Sequence, residues 1–150
     1  FNGVDESINF GNIDITNNLS VFSWVKTSSA ATQAILTKFS ATQSWRMYIL
    51  VGALRVQVTE DGGGVAKKDY FSSFSINDNS WHHEGFTFAS GVLSLYFDGV
   101  KITPSIARDD AFTTIHSSTQ SVIAGTRGTG ADRFDGLIDE LSMHKNTVLS

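Results

Sequence analysis

The sequence predicts an all-β fold, a sandwich or a barrel, and three observations carry that prediction. Helical periodicity is nearly absent from the 150 residues. Short segments rich in Val, Ile, Phe, Tyr, Trp and Thr recur along the whole chain, separated by Gly, Asn, Asp and Ser. Within the clearer segments apolar and polar residues alternate with a period of two, as in an antiparallel sheet with one buried face and one wet face.

Taken in order, residues 7–10 read as a short strand and residues 19–27 as a long one rich in β-branched and aromatic side chains. Residues 34–39 follow a Ser/Ala loop. Residues 45–51 and 54–59 form a hairpin around Gly52-Ala53. Residues 71–76 are a weaker strand, and Lys67-Lys68 before them reads as a solvated loop. Residues 82–88 and 92–97 make a second hairpin about Ala89-Ser90-Gly91, and 100–103 continues after the turn pair Asp98-Gly99. Residues 121–125 and 136–144 close the set. Trp45, Met47 and Ile49 share one face with the inward Leu54, Val56 and Val58 of the next strand, while Arg46, Tyr48, Arg55 and Gln57 point the other way.

Composition narrows the classes. Hydrophobic residues are 41% and charged residues 17% of the chain, enough apolar mass for one core and too little charge for a disordered segment. The formal net charge of −4, with basic residues scattered, argues against a nucleic-acid partner or an anionic membrane surface. No apolar run approaches the ~20 residues of a membrane-spanning helix, so membrane insertion is not expected. There is no cysteine, which removes disulfides, thiolate metal sites and a cysteine nucleophile. Residues 1–150 read as a single domain, expected to be cut from a longer protein.

Five segments resemble a known family in order along the chain. Phe1-Asn2-Gly3-Val4-Asp5-Glu6-Ser7-Ile8 resembles an opening F-D-G-x-D-D-Y-hydrophobic motif, and Leu19 to Lys26 a hydrophobic-T-V-x-x-W-V-K strand. Trp81-His82-His83 with Phe86-Thr87-Phe88 resembles W-H-H-V-A-F-T-Y. Leu93 to Gly99 resembles L-x-L-Y-V-D-G, and Phe134 to Leu141 resembles F-x-G-x-I-D-E-V. The set is similar to the concanavalin A-like lectin/glucanase superfamily, in its bacterial and phage laminin G-like branch. The resemblance implies a jelly-roll β-sandwich of two curved antiparallel sheets. It also implies an extracellular, cell-surface or virion setting. Asn2 departs from the family's Asp, and Glu84 stands where it prefers Val. Alternation puts Glu84 on a face with Phe86 and Phe88, and the expectation is a sheet-edge carboxylate paired with a nearby base.

Glucanases of this fold carry E-x-D-x-x-E, which aligns carboxylates on one strand face, and retaining glycosidases need two carboxyl groups about 5–5.5 Å apart. That motif does not occur in the sequence; Asp139 and Glu140 are adjacent and alternate to opposite faces. No G-x-S-x-G elbow, zinc spacing or phosphate loop is present either, so the chain reads as a non-enzyme. Sugar recognition needs an aromatic face for C–H groups and planar polar side chains for hydroxyls. The outward set Arg46, Tyr48, Arg55 and Gln57 supplies both, so a glycan or surface polysaccharide is the expected partner; a protein partner in an adhesion or decoration role is the alternative. Trp24, Trp45 and Trp81 are expected in core or rim positions, and the loop residues Tyr70, Arg127 and Arg133 at a rim. The resemblance further implies a structural calcium ion, held here by Asp139 of the final strand and by the segment 3–5, with Asp5 as its carboxylate.

Overall fold

The computed structural model describes residues 1–149. The strands are β1 (Ile8–Asn9), β2 (Leu19–Lys26), β3 (Gln33–Phe39), β4 (Gln43–Leu50), β5 (Ala53–Thr59), β6 (Lys67–Phe71), β7 (His82–Ala89), β8 (Val92–Phe97), β9 (Val100–Ile102), β10 (Ser105–Asp109), β11 (Ile123–Ala124) and β12 (Leu137–Lys145). Among the described residues there is no helix. A seven-stranded sheet runs β1-β11-β3-β4-β5-β6-β10, and a five-stranded sheet runs β12-β2-β7-β8-β9. Every neighbouring pair is antiparallel, and the chain passes back and forth between the sheets, as in a jelly-roll sandwich.

Alternation places the core. Trp45, Met47, Ile49, Leu54, Val56 and Val58 of the larger sheet are fully buried, facing Leu19, Val21, Val25, Phe86, Phe88 and Leu95 of the smaller one. Trp45 meets Phe86 across the layers with ring centroids 6.1 Å apart. The hairpins β4–β5, β7–β8 and β8–β9 close through two-residue turns, Val51-Gly52, Ser90-Gly91 and Asp98-Gly99. Both residues of each turn have positive φ, the type I′ geometry whose twist matches the strands it joins. The first turn is therefore one residue earlier than the sequence suggests, and it holds the β-branched Val51 at φ 51°.

The largest departure from the sequence reading lies before residue 72. The strand expected at 71–76 is instead β6, Lys67–Phe71, and the Lys67-Lys68 pair belongs to it rather than to a solvated loop. Charged residues looked like a loop because their partners are far away in sequence: Lys68 pairs with Asp109 of β10, and Asp69 with Arg55 of β5. Tyr70, expected at a rim, faces inward and joins the core. Strand β10 has no apolar run to announce it; four of its five residues are exposed on the sheet edge. Beyond β6, Ile76 is buried beneath the first hairpin turn, its amide bonded to the Gly52 carbonyl at 2.7 Å.

Strand β12 carries a bulge against β2 between Asp139 and Ser142, with Glu140 at φ 46°. Strict alternation fails there, and Asp139 and Glu140 are both exposed rather than split between faces.

Candidate functional site

The outer face of the seven-stranded sheet brings the sequence-selected polar side chains together. Arg46 lies opposite Gln57 and Tyr48 opposite Arg55 across β4–β5, and Gln57 lies opposite Asp69 and Arg55 opposite Phe71 across β5–β6. The resulting face is one hydrogen-bonded network. Arg55 donates to both oxygens of Asp69 at 2.6 Å each. Gln57 donates to the same carboxylate at 2.5 Å and accepts from Nε of Arg46 at 2.7 Å. Arg46 also donates to the Tyr48 hydroxyl at 3.3 Å, and its guanidinium lies 3.9 Å from the Tyr48 ring centre and 4.4 Å from that of Phe39. At the rim, Asp132 sits 3.8 Å from Arg46 and 3.5 Å from Arg127.

This network is drier than a wet sheet face. Tyr48 is only 2% exposed and Gln57 7%. Burial pushes the Tyr48 phenol up to about 12, so at neutral pH it stays a neutral hydroxyl. Burial also draws the Arg46 guanidinium down from its ordinary value, without removing a charge that proteins do not deprotonate. The bonds to Asp69 hold Arg55 above its ordinary value. The four residues chosen from sequence thus share a face, but Tyr48 does not offer its ring to a ligand: Arg46 covers it. Its place is taken by Phe71, next along the same face.

Beside the network lies an open groove of about 490 Å³. Arg55 and Phe71 line it with Ser73, Ser75 and Ser105, whereas the Ser72 hydroxyl is held inside, accepting from the Leu54 amide and donating to the Phe74 carbonyl. Phe74, more than a third exposed, adds a second ring. Asp69, the carboxylate that fixes Arg55, and Phe71 were missed by the sequence reading. The signal for both was available: in Lys67–Phe71 they alternate with the inward Lys68 and Tyr70, once the segment is read as a strand. Chemically the arrangement is a rigid set of donors and a ring. Asp69, at its centre, is already engaged by three donated hydrogen bonds, which leaves it poorly suited to proton transfer.

The sequence reading assigns calcium to Asp5 and Asp139. The Asp5 carboxylate accepts from the Asn2 side-chain amide at 2.8 Å in the opening loop. Asp139 accepts from the backbone amide of Glu140 at 2.8 Å on the bulge of β12. No group of three or more His, Asp or Glu side chains placed to hold a metal ion occurs among the described residues. Calcium takes about six to eight oxygens, so a site at Asp5 or Asp139 would draw the rest from backbone carbonyls and water.

Glu84 departs from the sequence reading. It is fully buried between the sheets and has no base beside it: neither carboxylate oxygen has a hydrogen-bond partner. Burial first, and the nearby charge of Asp98 second, raise its carboxyl well above the usual carboxylate range.

The chain belongs to the concanavalin A-like lectin/glucanases superfamily, whose laminin G-like family matches residues 2–150. Among curated proteins no sequence matches it. Solved structures share the fold at low identity. A native heptameric SAP-like pentraxin from Limulus polyphemus has 15% identity and a TM-score of 0.70, over 95% of this chain and 73% of the pentraxin. Domain 4 of AbnA, a GH43 extracellular arabinanase from Geobacillus stearothermophilus, was solved in complex with arabinotriose; identity is 22% and TM-score 0.69, over 97% of this chain and 68% of that one. The botulinum neurotoxin serotype D ligand-binding domain, in complex with N-acetylneuraminic acid, has 16% identity and a TM-score of 0.64, over 95% of this chain and 37% of the toxin domain. The fold is thus one that carbohydrate-binding domains use. The superfamily also includes glucanases, and no helix here is long and apolar enough to cross a membrane.

Proposed function

We propose that this chain is a non-catalytic carbohydrate-binding module whose glycan lies in the groove lined by Arg55 and Phe71. The observation that carries the reading is the pre-organised guanidinium of Arg55, locked by both oxygens of Asp69, beside an accessible ring and a row of serine hydroxyls. A fork of donors held by its own ion pair loses little freedom when it binds a sugar hydroxyl. A ring beside it supplies the apolar surface for a sugar's C–H face. The complexes of structural relatives with arabinotriose and N-acetylneuraminic acid support a sugar ligand in general. A secreted bacterial protein or a phage virion is the setting that fits such a module.

The test is a glycan array with the isolated domain, followed by titration of any hit against Phe71→Ala. Losing the ring is expected to weaken binding by about 1–3 kcal/mol, with the melting temperature little changed. Undiminished affinity in Phe71→Ala would remove the glycan from this groove. A blank array would favour the alternative, a protein-interaction module in an adhesion or decoration role.

A further inference from the structure

The outer face of the five-stranded sheet should be polar if it only meets water. Between the polar Ser20, Thr87 and Ser94 at one end and Lys26 at the other, a stretch of it is aromatic instead. In β2 the residues Leu19, Val21, Ser23 and Val25 are buried toward the core, and Phe22 and Trp24 project to the other side. Trp24 lies opposite His83 of β7, and Phe22 lies opposite Gly85, which in turn lies opposite Tyr96 of β8. The rings run together across three strands. Tyr96 and Phe22 have centroids 5.6 Å apart, Phe22 and His83 stack at 5.6 Å with planes 8° apart, and His83 and Trp24 are 5.3 Å apart.

Gly85 makes the ribbon continuous. A Cβ at that position would stand 2.2 Å from the Phe22 ring and 2.4 Å from the Val21 carbonyl oxygen. The missing side chain is the space that Phe22 occupies. Trp24 is 36% exposed and Trp81, just before β7, is 41% exposed.

Two depressions open along this ribbon. One, of about 490 Å³, is lined by Trp24, Trp81, His83, Asp98 and Gly99. The other, of about 330 Å³, is lined by Phe22, His83, Tyr96, Gly99, Ser142 and Leu149. They share His83 and Gly99 and so adjoin. Each lies within the ~300–1,000 Å³ of small-ligand pockets. Flat rings form the walls, with one aliphatic side chain, Leu149, between them. The polar groups are few: the imidazole of His83 in both, the carboxylate of Asp98 in the first, and the hydroxyls of Tyr96 and Ser142 in the second. Asp98 is fixed in place by the His83 amide at 2.8 Å and the His82 ring at 3.1 Å.

We propose that this ribbon is a second glycan site, on different residues and the opposite face from the groove, and that it takes a neutral oligosaccharide with successive rings in the two depressions. Electron-rich ring faces attract the polarised C–H groups of a sugar, and hydroxyls find an acceptor at Asp98 and mixed donors and acceptors at His83, Tyr96 and Ser142. Charge selects the class. No Lys or Arg lines either depression, and the one formal charge is the Asp98 carboxylate. A sialic or uronic acid carboxylate would meet the Asp98 carboxylate there, and Lys101, opposite Tyr96 on the same face, lines neither depression.

Tryptophan emission tests this directly, because Trp24 and Trp81 line the ribbon, Trp45 is fully buried, and no tryptophan lines the groove of Arg55 and Phe71. The domain is titrated with cellohexaose, mannohexaose and arabinohexaose, and with sialyllactose as the acidic counterpart. A saturable blue shift is expected with at least one neutral probe and none with sialyllactose. Trp24→Ala and Trp81→Ala, checked for folding by circular dichroism, are each expected to weaken that binding about tenfold or more. No saturable shift with any of the three neutral probes overturns the proposal. So does glycan binding that leaves tryptophan emission unchanged and is lost in Phe71→Ala, which puts all recognition in the groove. Concentration-dependent dimerisation abolished by Trp81→Ala would overturn it too, by making the ribbon a contact between copies.

Discussion

Glu84 offers the sharpest perturbation. Its carboxyl points between the sheets with Phe86 and Phe88, and its two oxygens lack partners. Ser23 lies directly opposite on β2, and its buried hydroxyl has no partner either. In the folded state the group is held protonated by burial, with Asp98 adding to the effect, so its folded pKa exceeds the ordinary value of about 4.3. The folded state therefore binds the proton that the unfolded chain releases, and stability is full below pH ~4.3 and declines as pH rises toward the folded pKa. The slope approaches ~1.4 kcal/mol per pH unit for one proton. Between pH 4.5 and 6.5 a carboxyl that stays protonated in the fold costs stability by this linkage, at up to that slope. That window is clear of other shifted groups. The lowered carboxyls of Asp61, Asp78, Asp109 and Asp110 act below it, where they favour the fold as pH rises past about 3.9. In His82, burial works against the proton, but Asp98 and Asp78 outweigh it and raise the pKa. Its contribution is full below about pH 6.5 and is lost above it. The assay is urea unfolding of wild type and Glu84→Gln at pH 4.5, 5.5 and 6.5. The wild type is expected to lose stability across the series and the variant to stay level, overtaking it by pH 6.5. Parallel pH profiles for the two proteins would refute a neutral, unpaired Glu84.

Two further outcomes are expected. Val51, exposed and β-branched, holds φ 51° in the first hairpin turn, so Val51→Asn should relieve about 1 kcal/mol of backbone strain and raise the melting temperature by about 2–4 °C, readable by calorimetry; an unchanged or lower melting temperature would count against strain there. Calcium at Asp139 is tested by melting in calcium and in chelator: a rise in calcium that disappears in Asp139→Ala is the expected outcome, and equal calcium-induced shifts in the two proteins would remove the ion from that residue.

The all-β class, most strands and the core faces of β4, β5 and β8 were legible because alternation is a local property: a side chain's face follows from its neighbours in sequence. The ordered motifs from Phe1 to Leu141 carried the family. Legibility failed where a residue's role depends on a distant partner. Lys67-Lys68 looked like a loop until Asp109 arrived from β10, and Asp69 gained its role only from Arg55 and Gln57 of β5. Glu84 looked like an edge carboxylate because nothing local says that β2 and β8 enclose β7 on both sides. Tyr48 had the right chemistry and the right face for a sugar, but whether Arg46 would lie over its ring is a matter of packing.

The sequence by itself determined an antiparallel sandwich or barrel and placed Arg46, Tyr48, Arg55 and Gln57 on one surface, since period-two patterning and turn residues act over a few positions of chain; the concanavalin A-like kind came from the resemblance of its ordered motifs. The tertiary structure alone decided which of those side chains stay open to a ligand. Arg55 is fixed by Asp69 fourteen residues away in sequence, Tyr48 is covered, and the ring available beside the groove is Phe71. It also aligned Trp24, Phe22, His83 and Tyr96 into one aromatic ribbon. Accessibility and alignment of this kind come from strand order and register, which are set by long-range pairing rather than by any local run of residues.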